Sequence, residues 1–164
     1  MTLSVDHAES VCAHQLSQEC ERSHERYVPE KYQLGILTHY LRTHGFDYVT
    51  EGRIFCYPID ILCVRGEVTV AIEMKAGDVA RGIEQAWRNS DFVDFSYLAI
   101  WEEQDSSALR EKVAETPVGL LTVGEEVTQV SPPRKTTQQL CSKTGVITTV
   151  RDHVRDDPPL QQSE

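Results

Sequence analysis

No stretch of this sequence approaches the roughly 20 consecutive apolar residues that a membrane-spanning helix requires, so no membrane partner is expected. The opening run MTLSVDHAES lacks both the basic flank and the apolar stretch of a secretory leader, and a cytoplasmic location is the resulting expectation. Glycine-rich phosphate loops are missing, which disfavours a nucleotide triphosphatase. No grouping of Ser, His and Asp suggests a nucleophilic triad, and no internal repeat or low-complexity tract stands out. The five cysteines, Cys12, Cys20, Cys56, Cys63 and Cys141, form an odd set without an export signal. That argues for reduced thiols, mostly packed as small apolar groups, and against a disulfide framework.

An excess of positive charge is missing too. The formal net charge is −10, which opposes a general basic grip on nucleic acid. Two features soften that objection. Acidic residues gathered around a cation are neutralised by it. Arginine also outnumbers lysine by 11 to 5, a bias toward the planar forks that hold phosphate.

What is present is an ordinary globular composition, 40% hydrophobic and 26% charged, in 164 residues, enough to bury a core without staples. Residues 1–26 are polar and helix-compatible, with a thin apolar stripe. Pro29 then sits at the first turn of a helix predicted over Glu30 to His44, where Leu34, Leu37 and Leu41 recur at helical spacing and Gly45 stops it. From Tyr48 the pattern becomes β-branched and aromatic, giving strands at 48–55, 57–64 and 68–75. A second helix over 78–89 places Val79, Ile83, Ala86 and Trp87 on one face, ahead of a strand at 95–101. A helix over 106–115 and strands at 119–123 and 127–130 follow, ending at Ser131-Pro132-Pro133. The expected core is therefore 27–133. Residues 134–164 read as a tail in which 145–154 has enough β-branched residues for a strand or a short helix.

The chemistry concentrates in two of these strands. Side chains alternate along a strand, so Glu73 and Lys75 share a face while Ile72 and Met74 take the other. With Arg65-Gly66 as a two-residue turn, Asp60 pairs across from Ala71 and becomes a diagonal neighbour of Glu73. Asp60, Glu73 and Lys75 then converge; a one-residue change of register would send Asp60 to the opposite face. Hard carboxylate oxygens suit Mg²⁺ or Mn²⁺, which can polarise a phosphate and acidify a bound water, and Lys75 can orient that water.

Asp60 followed by Glu73-Met74-Lys75 across a short hairpin resembles the motif of the PD-(D/E)xK nuclease superfamily, also called restriction-endonuclease-like, over about residues 30–130. The resemblance implies an α/β fold with a central mixed sheet flanked by helices in α-β-β-β-α-β order. It further implies Asp60, Glu73 and the Met74 backbone carbonyl as ligands of Mg²⁺ or Mn²⁺, with Lys75 assisting the attacking water. Here Ile59 separates Pro58 from Asp60, whereas in the family pattern the proline directly precedes the aspartate. Many members carry a glutamate on the preceding helix, for which Glu30 is the candidate, ahead of Glu25 and Glu19. Many also carry a glutamine on the helix after the lysine, matched by Gln85. Arg81, Gln85 and Arg88, at i, i+4 and i+7, form one polar stripe on which the arginines can fork a phosphate of DNA.

Simpler assignments cover the remaining residues. Cys12, His14, Cys20 and His24 have no compact zinc spacing and read as helix surface. Cys56 and Cys63 read as core thiols, His39 and His44 as helix-surface or capping groups, and Trp87 and Trp101 as core. The sequence thus points to a metal-dependent deoxyribonuclease, of endonuclease, resolvase or repair type, with RNA a less favoured substrate. A twofold homodimer would offer one site to each strand. The alternative is a non-catalytic nucleic-acid-binding or assembly protein built on the same fold.

Overall fold

The computed structural model describes residues 27–54, 57–135 and 142–156. The expected N-terminal helical segment, with Cys12, His14, Glu19, Cys20, His24 and Glu25, lies outside the described residues, as do Cys56 and Cys141.

Helix α1 spans Tyr27–Thr43. Its end follows from Gly45, whose φ of 75° lets the Gly45 N–H donate to the Arg42 carbonyl and the Phe46 N–H to the Leu41 carbonyl. Those two bonds satisfy carbonyls that the last turn would otherwise leave bare. Three strands follow: β1 at Asp47–Ile54, β2 at Tyr57–Arg65 and β3 at Val68–Lys75. Helix α2, Val79–Asn89, crosses from β3 to β4, Phe95–Trp101. Helix α3, Ser107–Ala114, crosses from β4 to β5, Gly119–Val123, and β6 at Val127–Ser131 closes the sheet. All six strands form one mixed sheet in sequence order, with β3, β4 and β5 parallel and the outer pairings antiparallel. The parallel steps are the ones that carry helical crossovers, because only a crossover returns the chain to the same sheet end.

The alternation within each strand divides the core into two layers. Ile72, Met74, Ala99 and Leu121 pack beneath Leu37 and Leu41 of α1. On the other face, Leu98, Ile100 and Leu120 pack against Ile83 and Ala86 of α2 and Leu109 and Val113 of α3. The result is helices on both sides of a mixed sheet.

The hairpin between β2 and β3 turns at Gly66-Glu67, one residue later than the expected Arg65-Gly66. Gly66 has a φ of 61°, and it is the first central residue of the turn, where a type II′ turn takes glycine. Ile61 consequently pairs with Ile72 and Leu62 with Ala71. The register therefore differs by two residues from the one expected, and an even shift leaves every side chain on its predicted face.

The expected tail, in which 145–154 allowed a strand or a short helix, forms a helix that packs on the sheet. Helix α4 spans Lys143–Asp156 and buries Val146 and Val150 against Leu62, Val64 and Ala71. Two signals for it were present in the sequence. Val146 and Val150 stand at i, i+4, and Ser142 caps the start by accepting from the Gly145 N–H. Asp94 fastens this helix. It is buried, its carboxylate accepts from the Thr69 N–H at 3.0 Å, and it pairs with Lys143 at 3.0 Å and Lys135 at 3.6 Å. Asp94→Ala is therefore expected to lower stability by about 2–3 kcal/mol, the cost of removing hydrogen bonds to a buried charge, as measured by urea denaturation. An unchanged midpoint would show that α4 is held by its valines alone.

Candidate active site

The site forms where β2 begins and β3 ends. Glu73 and Lys75, on one face of β3, are both buried, and the Lys75 ammonium lies 3.3 Å from Glu73 Oε1. The last recorded β2–β3 pair is Ile61 with Ile72, and one further step along the same register sets Asp60 opposite Glu73. By that register Asp60 falls opposite Glu73, where a diagonal position was expected, and the paired ladder ends one step before it.

Asp60 Oδ2 accepts from the Met74 N–H at 2.8 Å, so its carboxylate takes a place where a strand partner would otherwise bond. An extended residue directs its N–H and C=O to the same neighbour, so the Met74 carbonyl is also directed to the Asp60 side. On the other edge of β2, Thr50 pairs with Ile61 and Gly52 with Ile59, and the β1–β2 ladder skips Glu51 and Asp60. Glu51 has a φ of 54°, a left-handed backbone that a non-glycine residue adopts at a cost of about 1–2 kcal/mol, directly beside the acid pair.

The electrostatics follow from this crowding. Burial is the largest cause that raises the Glu73 carboxyl, and the nearby Asp60 charge raises it further. Lys75, and to a lesser extent Arg88, pull in the opposite direction, and the net result is a value pushed up to about 8. Glu73 therefore tends to keep a proton at neutral pH unless another cation replaces it.

Helix α2 supplies the next layer. Asp78, with a φ of 42°, caps its start by accepting from the Arg81 N–H at 3.4 Å. Gly82 lies over Lys75 and Leu98. Arg88 extends back toward the acids, with Nη2 donating to the Pro58 carbonyl at 3.5 Å and its guanidinium 4.6 Å above the Tyr57 ring. Gln85, one turn before Arg88 on this stripe, is half-buried, and its Oε1 is buried with no hydrogen-bond partner among the described residues. Arg81 is half-buried on the same stripe. The structure thus brings Asp60, Glu73, Lys75 and Arg88 together, and it sets Gln85 beside Arg88 by helical spacing.

Glu30 is half-buried in the first turn of α1, with its Oε1 enclosed. The contact from α1 to the site is made by its neighbour on the same helix face, Gln33, which is fully buried and donates to the Lys75 carbonyl at 3.1 Å. Gln104 donates likewise to the Ala76 carbonyl, at 2.6 Å. Neither glutamine is evident from motif reading. A signal for Gln33 did exist, because residues 33, 37 and 41 form an i, i+4, i+8 stripe, and a polar residue on an apolar stripe is one that the fold must satisfy.

Trp87 departs from expectation, since it is 49% exposed, while Trp101 is half-buried as part of the α1-side core. Helix α2 meets the sheet through its smallest residues, Gly82 and Ala86, and this close approach leaves Trp87 at the rim. Cys63 lies in the core, where burial pushes its thiol up and makes it unreactive. His39 and His44 are exposed on α1 and just past its end. Among the described residues no group of three or more His, Cys, Asp or Glu is gathered to hold a metal ion.

No protein-family model matches the chain, and no curated protein matches it. Among solved structures, the chain is similar to a protein of unknown function from Silicibacter pomeroyi. The two share 18% sequence identity with a TM-score of 0.56, over 70% of this chain and 78% of that one. At that identity the likeness speaks to the fold alone.

Proposed function

We propose that this chain is a Mg²⁺- or Mn²⁺-dependent nuclease of the restriction-endonuclease-like kind that hydrolyses phosphodiester bonds in DNA. One observation carries the reading: adjacent strands bring two carboxylates and a lysine onto one face at the end of β3, close enough that the Asp60 charge raises Glu73. A buried acid that shares its surroundings with a second acid is a poor structural element, because both cannot ionise without a cation. It is a good cation site for the same reason.

The donor set fits a hard divalent ion: Asp60, Glu73 and the Met74 carbonyl would hold it, with water completing the shell. When bound, the ion supplies polarisation of the phosphate and acidification of a water. The protein groups do the rest. Lys75, held by Glu73 and kept in place through its own carbonyl by Gln33, orients the attacking water or shares the phosphate charge. Arg88 offsets negative charge beside the acids, and Arg81 and Gln85 extend that stripe toward a phosphate or a water. Glu30, one turn before Gln33, adds a further carboxylate on α1. The overall acidity is consistent with this division of labour, since the arginine stripe is local. A homodimer would place a second copy of the site against the opposite strand of a duplex.

The test is cleavage of labelled single-stranded, duplex and branched DNA, with RNA as comparison, in Mg²⁺ or Mn²⁺ and again with chelator. Asp60→Ala is expected to abolish cutting, and a divalent ion should raise Tm in the wild type but not in the variant. Wild-type protein that binds the ion or DNA and cuts nothing would establish instead the non-catalytic binding protein. A monomer by light scattering that still makes double-strand cuts would eliminate the dimer.

A further inference from the structure

We propose that Gly82 is a positioning residue for Lys75: the absence of a side chain at this place on α2 leaves the lysine stem the room it needs to set its ammonium against Glu73. The inference rests on the nuclease reading for its catalytic consequence, and on geometry alone for the contact. A Cβ at Gly82 would stand 2.6 Å from Lys75 Cγ and 2.8 Å from Leu98 Cδ1, distances that real Cβ atoms essentially never show. The first of these is the middle of the lysine stem, not its flexible end. Lys75 is held on three sides already, by the Glu73 carboxylate at its ammonium, by Gln33 at its carbonyl and by the β4 ladder opposite Ile100. With those contacts in place, an added methyl has two outlets: it rotates the lysine stem off Glu73, or it lifts α2, and with it Gln85 and Arg88, from the acids. Either one misplaces the catalytic groups by about the width of a methyl group. Glycine inside a helix is otherwise disfavoured relative to alanine, so its presence at the end of the first turn of α2 calls for a local reason. Gly35 supplies the internal contrast, because it lies in α1 with nothing within 4 Å of its would-be Cβ.

The experiment compares Gly35→Ala, Gly82→Ala, Lys75→Ala and the Gly82→Ala/Lys75→Ala double variant, by Tm and by kcat and KM on the best DNA substrate. Gly35→Ala should raise Tm by a few degrees, as alanine does in an open helix. Gly82→Ala should lower Tm and cut kcat by about a hundredfold with KM little changed, the loss typical of a small misplacement of a catalytic group. In the Lys75→Ala background, where the stem is gone and the Leu98 contact remains, the same change should cost clearly less in both kcat and Tm. The inference is overturned if Gly82→Ala raises Tm as Gly35→Ala does, or if its kcat loss is the same in both backgrounds. A wild type that cuts nothing defeats the nuclease reading separately; the Tm values of the four variants then still decide whether Gly82 and Lys75 are coupled. Should Gly82→Ala fail to fold, recovery of folding in the double variant supports the coupling, and failure of both overturns it.

Discussion

Glu73→Gln is expected to make the metal-free protein more stable at neutral pH while reducing cleavage on the order of 10³-fold. The stability change follows from the proton on Glu73. Its folded value, about 8, lies above the ordinary 4.5, so between those two the folded state holds a proton that the unfolded state has lost. Folding stability therefore falls as pH rises through that window, and the full cost is present above about pH 8. Glutamine is neutral throughout and escapes the cost. In chelator, wild type and variant should melt together near pH 4, and the variant should melt several degrees higher near pH 8, since 1 kcal/mol moves Tm by about 2–4 °C at this size. Added Mg²⁺ or Mn²⁺ should reverse the order by stabilising only the wild type. Equal Tm values across pH 4–8 in chelator would mean that Glu73 is not the strained acid described above.

Lys75→Met probes the same pair from the other side. Methionine keeps much of the volume and removes the charge, so packing is largely preserved. Near pH 5 Glu73 is protonated with or without the lysine, and the substitution should change Tm little. As pH rises toward 9, wild-type Glu73 ionises beside Lys75, whereas the variant must either retain the proton or bury an unpaired carboxylate. The destabilisation should therefore grow with pH, toward the roughly 3–5 kcal/mol typical of a broken buried pair. On the nuclease reading proposed above, cleavage should also fall by about 10²–10³-fold, because the charge assigned to orient the water is gone. A Tm deficit independent of pH would show that Lys75 contributes packing and no electrostatic restraint on Glu73.

Several parts of this molecule could be read directly from the chain. The stop of α1 at Gly45 and the alternation through Ile72-Glu73-Met74-Lys75 both depend on residues within a few positions of one another. Even the misplaced hairpin turn did no damage to the grouping of Asp60 with Glu73, because the true register differed by an even number of residues. Gln33 and Gly82 were less legible. Each is explained only by what lies opposite it: a strand-end carbonyl for one, a lysine stem for the other. Helix α4 was obscured by its threonines and valines, which favour strands in isolation. Its helical form comes with the burial of Val146 and Val150 on β1 and β2, and with Lys143 paired to Asp94.

The sequence by itself determined which residues share a face of each strand and helix, because the periods of 2 and 3.6 are local properties of backbone geometry. It thereby selected Asp60, Glu73 and Lys75 as a group. Only the tertiary structure decided how that group behaves. The depth at which β3 is covered by α1 and α2 sets the polarity around Glu73, and the approach of α2 through Gly82 and Ala86 sets where Lys75 can lie and why Trp87 is left outside. Burial and proximity between distant segments are properties of the packed whole, and they convert three polar residues on a strand pair into a strained acid pair with a fixed lysine.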